Sequence, residues 1–156
     1  SLFAYLIHQR FPGQVKSFVF VGKLDEVTNY YNLDQPMMAV EYSLRKASID
    51  YKGYSNYNEA FKMYEENHLS DVDNNTIVMV LGDARNNRNP SRNQTVKQIQ
   101  SQCKRLFWLN PDIKTKWNQG DSMVAQYEPY CDGVYETRSL EQLEHTLQKI
   151  TEILAS

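Results

Sequence analysis

Several common functional signatures are missing from this chain. Positive charge is not in excess: 17 Lys and Arg stand against 19 Asp and Glu, for a net charge of −2. A nucleic-acid interface needs a basic patch or stripe, so no nucleic-acid partner is expected. Apolar runs are short of the ~20 residues that a membrane span requires, and no membrane partner is expected. The start has neither a basic region nor a small-residue cleavage site of the kind that marks a secretory leader, which points to a cytoplasmic location. Cysteine is scarce. Cys103 and Cys131 lie in apolar patterns and read as buried free thiols of a reducing compartment, not as a disulfide or a metal pair.

Chemical motifs are equally sparse. There is no G-x-G-x-x-G and no G-x-x-x-x-G-K-[ST], so nucleotide binding has no support. His8, His68 and His145 are far apart, and no H-x-x-x-H or C-x-x-C spacing suggests zinc. No G-x-S-x-G elbow is present, and Cys103 has no evident base. An initiator Met is also missing. The chain opens Ser1–Leu2–Phe3–Ala4 in what reads as the body of a helix with no cap before it, as a piece of a longer polypeptide would.

What is present describes one folded domain of 156 residues, 41% hydrophobic and 23% charged. Residues 1–11 read as a helix stopped by Pro12–Gly13. Val15–Val21 and Leu24–Tyr31 read as strands, linked so closely by Gly22–Lys23 that they should pair antiparallel. Helices are expected over Asp34–Ser48 and Ser55–His68, the second with Tyr57, Ala60, Phe61 and Tyr64 as its buried stripe. Thr76–Leu81 (TIVMVL) is an unbroken apolar β-former, the pattern of a central parallel strand buried on both faces. A helix follows from a capping-box pattern at Ser91 and Gln94 through Lys104. Arg105–Leu109 reads as a short buried strand, with a possible helical turn over Asp121–Gln126. A weak strand over Gly133–Glu136 and a helix capped by Ser139 and Gln142 complete the chain. Strands alternating with helices imply an α/β, Rossmann-like three-layer sandwich: a mainly parallel central sheet with one antiparallel edge strand.

In such sheets ligands sit beyond the carboxyl ends of the strands, which singles out Asp83 at the end of TIVMVLGD. Ser55, opening the helix that precedes this strand, is the second candidate. Both offer oxygen, the donor that Mg²⁺ or Mn²⁺ takes. Each also has a plain structural role open to it: Ser55 as a helix N-cap, Asp83 as a brace for the loop after it. Asp83 could instead serve as a carboxylate nucleophile or phosphoacceptor, although the adjoining Asn- and Arg-rich loop lacks the extra acids and the Lys such chemistry uses.

Taken in order, these segments resemble a von Willebrand factor A domain, most closely its CoxE-like branch. Phe18–Val19–Phe20–Val21–Gly22, with Leu24 and Val27–Thr28, is similar to the family's F-V-F-G-x-x-L-x-x-V-T hairpin. Gly53 to Phe61 resembles G-G-T-x-I-G-E-A-L. Val80–Leu81–Gly82–Asp83 with Asn89–Pro90 resembles the strand, S-D-G loop and D-P step. Leu106 to Pro111 matches [LV]-[IF]-W-L-N-P, and Tyr130 to Leu143 resembles the family's ending. The resemblance implies a metal-ion-dependent adhesion site in which Ser55 takes the Thr position and Asp83 the Asp position. Tyr54, Asn56, Arg85 and Asn86 flank it as candidate partner contacts, and Tyr51 lies close by. Gly82 and Ala84 depart from the Ser and Gly of the S-D-G loop.

No D-x-S-x-S occurs in the chain. The strand that carries it in the family should lie between Val15–Val21 and Thr76–Leu81. Residues 1–156 therefore read as a domain lacking its first strand, with a bound metal not expected in this segment alone. The gap should be filled by another segment or chain, because each buried unpaired backbone group costs ~1–3 kcal/mol. Direct pairing of the two flanking strands would refute this. The implied function is a non-enzymatic protein-interaction module. Its partner would complete the metal shell with an acidic side chain, and a MoxR-type AAA+ ATPase would act with it in maturation or metal-centre assembly of another protein. A metal-independent scaffold and a phosphotransfer enzyme using Asp83 remain open alternatives.

Overall fold

The computed structural model describes residues 2–32, 36–47 and 53–156. Helix α1 (Leu2–Arg10) precedes a hairpin of β1 (Phe18–Phe20) and β2 (Leu24–Glu26), antiparallel with Val19 opposite Asp25. Both strands are shorter than the sequence pattern suggested. Thr28–Asn32 is a 3-10 turn, since Asn29 and Asn32 disfavour a strand. The turn brings buried Val27 and Tyr31 against Tyr5, Ala39 and Ala47 in a small core of their own. Helix α2 spans Pro36–Lys46; positions 34, 35 and 48 of its expected range lie outside the described residues.

The second half builds a parallel sheet. Helix α3 (Tyr57–Asn67) leads to β3 (Ile77–Leu81), then α4 (Asn93–Gln102), β4 (Arg105–Asn110), the short α5 (Val124–Tyr127), β5 (Gly133–Glu136) and α6 (Leu140–Ala155). The strand order is β3-β4-β5, with Val80 beside Trp108 and Trp108 beside Val134. This mixed α/β arrangement is the Rossmann-like architecture expected. Ser139 caps α6, its side chain accepting the Gln142 N–H. Ser91 does not cap α4; Arg92 holds that position without a side-chain cap bond.

One expectation is corrected. The strand buried on both faces is β4, not β3: Leu106, Phe107, Trp108 and Leu109 are all 1% exposed or less, whereas Ile77 and Leu81 of β3 are 38% and 40% exposed. The reason is position. Among the described residues β3 has a strand partner on one side only, and β1 and β3 belong to separate sheets. The pairing that would have refuted a gap between them is not seen.

Tyr57 of α3 packs between β1 and β4. Phe20 of β1 stands 4.8 Å from the Tyr57 ring, and Tyr57 in turn stacks on Trp108 at 5.7 Å. Tyr57, Phe61, Val96, Ile99, Leu106, Trp108, Val124 and Tyr127 form the main core. Trp108 stacks on Tyr127 at 4.9 Å and donates its indole N–H to the Gly82 carbonyl at 2.7 Å. Cys103 and Cys131 are free and half-buried; burial pushes the Cys131 thiol up to about 12. No described helix is long and apolar enough to cross a membrane.

Candidate functional site

The carboxyl end of β3 meets the amino end of α3. The first N–H groups of a helix have no partner within it, and here two asparagines supply acceptors. Asn56 is the N-cap, its side chain accepting the Glu59 N–H. The Asn86 Oδ1 accepts the Tyr57 N–H at 2.7 Å, while its Nδ2 donates to the carbonyls of Asn89 and Pro90. Asn87 Nδ2 donates to the Ser55 carbonyl at 2.8 Å. The loop of Ser55 and the loop of Asp83 are thus laced together.

The cap role considered for Ser55 falls to Asn56. The Ser55 hydroxyl has no hydrogen-bond partner among the described residues, and the residue is half-buried. The bracing role considered for Asp83 is observed in one of its oxygens. Oδ1 accepts the Arg85 N–H at 2.9 Å and the Tyr57 O–H at 3.4 Å. Oδ2 accepts none among the described residues.

Tyr57 is central to this arrangement. Its hydroxyl accepts the Ala84 N–H at 3.1 Å, which leaves its own proton for Asp83. Burial, with the Asp83 carboxylate beside it, pushes the phenol well above its ordinary range, so it stays a neutral donor. A Cβ on residue 82 would collide with this hydroxyl, which gives a physical reason for Gly82 where the family pattern has Ser. Ala84 has φ +58°, a left-handed conformation costing ~1–2 kcal/mol for a residue with a Cβ; the family pattern has Gly there.

The four flanking candidates fare differently. Tyr54 is 81% exposed and open to a partner. Asn86 is fully buried, so its expected role as a partner contact is corrected to that of a helix-capping brace. Asn56 is engaged as the N-cap. Arg85 turns away into the chain: Nε and Nη2 bind Asp112 Oδ2 at 3.1 and 2.7 Å, and Nη1 binds Asp121 Oδ1 at 3.1 Å. Asp112, then Asp121, hold the guanidinium more firmly protonated. Tyr51 lies outside the described residues.

Sequence reasoning placed Tyr57 near the site but favoured core packing for it, and read Asp112 as loop and Asp121 as the start of a possible helical turn. The available signal for Tyr57 was the pairing of a hydroxyl-bearing residue at an apolar family position with a glycine at position 82.

A hard cation can be tested against these donors. Asp83 Oδ2 and Ser55 Oγ are hard oxygens, one anionic and one neutral, without competing protein partners among the described residues. Mg²⁺ typically binds through one or two carboxylates and keeps several waters, so the pair fits part of such a shell. No group of three or more His, Cys, Asp or Glu among the described residues could hold a metal by itself.

Comparison with known proteins identifies a family. A family model described as "VWA domain containing CoxE-like protein" matches residues 1–146. Searches of curated proteins and of solved structures returned no match. With nearly the whole length matched, and with the parallel sheet, hairpin and strand-end loops in the order that the pattern requires, the chain belongs to the CoxE-like von Willebrand factor A family.

Proposed function

We propose that this chain is a non-enzymatic protein-interaction module whose contact point is the carboxyl end of β3. Membership of a family of interaction domains supports the general role. The observation that carries the finer reading is the unequal use of Asp83: Oδ1 is braced by the protein while Oδ2 and the Ser55 hydroxyl have no partners among the described residues. These two atoms would hold Mg²⁺ or Mn²⁺. Such an ion supplies a Lewis-acidic point for a partner's Asp or Glu oxygen. Tyr54 adds an exposed aromatic beside it, a residue type enriched in interface cores. The CoxE-like branch favours a MoxR-type AAA+ ATPase as the associated machine, in maturation or metal-centre assembly of another protein.

The surroundings of Asp83 argue against carboxylate catalysis. Its hydrogen-bond donors are a phenol and a backbone amide, and the nearby Asp112 and Asp121 are already paired to Arg85. A metal-independent scaffold is the second reading, favoured by the absence of a three-residue His, Cys, Asp or Glu cluster among the described residues.

The test is a calorimetric Mg²⁺ and Mn²⁺ titration of the intact protein beside Asp83→Ala, together with capture of a MoxR-type ATPase in Mg²⁺ and in chelator. Metal uptake lost in the variant, with capture lost in chelator, is the expected result. Capture that survives chelator selects the scaffold reading. Phosphoester turnover abolished by Asp83→Asn would overturn the non-enzymatic assignment.

A further inference from the structure

We propose that Tyr57 is the positioning residue of the metal site, making Asp83 a ligand through one oxygen only and thereby favouring a small octahedral cation over a large one. The proposal rests on the reading of Asp83 and Ser55 as metal ligands.

Several features of the phenol point the same way. The ring cannot swing: it is 2% exposed and held between Phe20 at 4.8 Å and Trp108 at 5.7 Å. The hydroxyl has one productive orientation, because it accepts the Ala84 N–H at 3.1 Å and so directs its proton to Asp83 Oδ1 at 3.4 Å. Gly82 leaves the space this hydroxyl needs. With the Arg85 N–H at 2.9 Å on the same atom, Oδ1 has two donors and Oδ2 has none among the described residues. Each carboxylate oxygen has two lone-pair sites, and both of those on Oδ1 are taken by these donors, which leaves Oδ2 as the oxygen Asp83 offers a cation. Large Ca²⁺ accepts two-oxygen carboxylates in flexible shells of six to eight ligands, whereas Mg²⁺ and Mn²⁺ sites use single oxygens and waters in octahedral geometry. Bracing one oxygen therefore selects by geometry, and it does so through a side chain that never touches the ion.

The experiment titrates the intact protein, as wild type, Tyr57→Phe, Gly82→Ala and Asp83→Ala, with Mn²⁺ and with Ca²⁺. Water-proton relaxation of the bound Mn²⁺ is measured alongside. Tyr57→Phe keeps the ring and removes only the hydroxyl. It should lower the ratio of Mn²⁺ to Ca²⁺ affinity by about tenfold, the size of one hydrogen bond to a charged group. It should also remove one water from the bound Mn²⁺ as Oδ1 joins the shell. Gly82→Ala puts a Cβ against this hydroxyl, so that the whole phenol must shift off Asp83, and should shift the ratio the same way. A merely structural Tyr57 would weaken both ions alike and leave the water count unchanged; that result overturns the proposal alone. A wild type that takes up no Mn²⁺, or an Asp83→Ala variant that binds it as well, overturns the metal reading and the proposal together.

Discussion

Strands β3 (IVMVL) and β4 (RLFWLN) each carry an unbroken apolar run, yet they live differently. Four consecutive residues of β4 are 1% exposed or less, while the two ends of β3 are about 40% exposed. The cause is not hydrophobicity. Strand β4 lies between β3 and β5, whereas β3 has only β4 among the described residues. An apolar run states that a strand tolerates burial; its neighbours decide whether burial happens. The ends of the two strands differ as well. β4 runs into Asn110–Pro111–Asp112, where Asp112 is tied down by Arg85. β3 runs into a left-handed Ala84 and an Asp83 whose Oδ2 has no partner among the described residues. The more enclosed strand supplies the frame, and the more open one carries the candidate site.

Core truncations test this contrast with the largest effects. Trp108→Ala removes the ring that stacks on both Tyr57 and Tyr127 and should cost ~3–5 kcal/mol in denaturant unfolding. Leu109→Ala should cost ~2–4 kcal/mol and its register partner Leu81→Ala only about 1. Equal losses at Leu81 and Leu109 would show that β3 is covered in the molecule being measured.

Amide hydrogen exchange sharpens the same point strand by strand. The Gly82 N–H bonds to the Leu109 carbonyl. By the alternation of a parallel ladder, Val78 and Val80 point their N–H groups at β4, and Met79 and Leu81 point theirs away. Met79 and Leu81 should exchange faster than Val78 and Val80 by about a hundredfold, because local opening energies run from near zero to the global value. All of Leu106 to Leu109 should be slow. Protection at Met79 and Leu81 would mean that a strand lies along β3.

Much of this molecule could be read from sequence, and the parts that could not share a physical reason. Local patterns placed the helices: of the stripe Tyr57, Ala60, Phe61 and Tyr64, the first three are buried and the fourth half-buried, and Ser139 caps α6 although Ser91 does not cap α4. The parallel pairing of β3, β4 and β5 followed from alternating elements. The relative burial of β3 and β4 did not follow, because it depends on which strands are neighbours. Asp83 and Ser55 were legible as oxygen donors at a strand end. Their division of labour with Asn56, Asn86 and Tyr57 was not, since contacts 26 to 29 residues apart in sequence leave no periodic trace. Asn86 looked like a surface polar residue and is instead fully buried, because its carboxamide answers the unpaired N–H groups of α3.

The smallest expected effect concerns the tie between the two strand ends. Arg85→Ala removes the bridge from the β3 loop to Asp112 and Asp121, each about 30% exposed in its side chain. Partly exposed ion pairs are weak, so the loss should be about 1 kcal/mol at neutral pH. Its pH dependence identifies the cause. Burial pushes the Asp121 carboxyl up, but Arg85 and the Asn87 N–H outweigh it and hold the group below its ordinary 3.8. A carboxyl depressed in the folded state contributes stability that is present above the ordinary value and lost as pH falls through the folded one. The gap between wild type and Arg85→Ala should therefore be constant above pH 3.8 and close below it. A gap that persists in acid would mean that Arg85 joins the strand ends through the packing of its aliphatic stem, and that charge is not what aligns the β3 loop with β4.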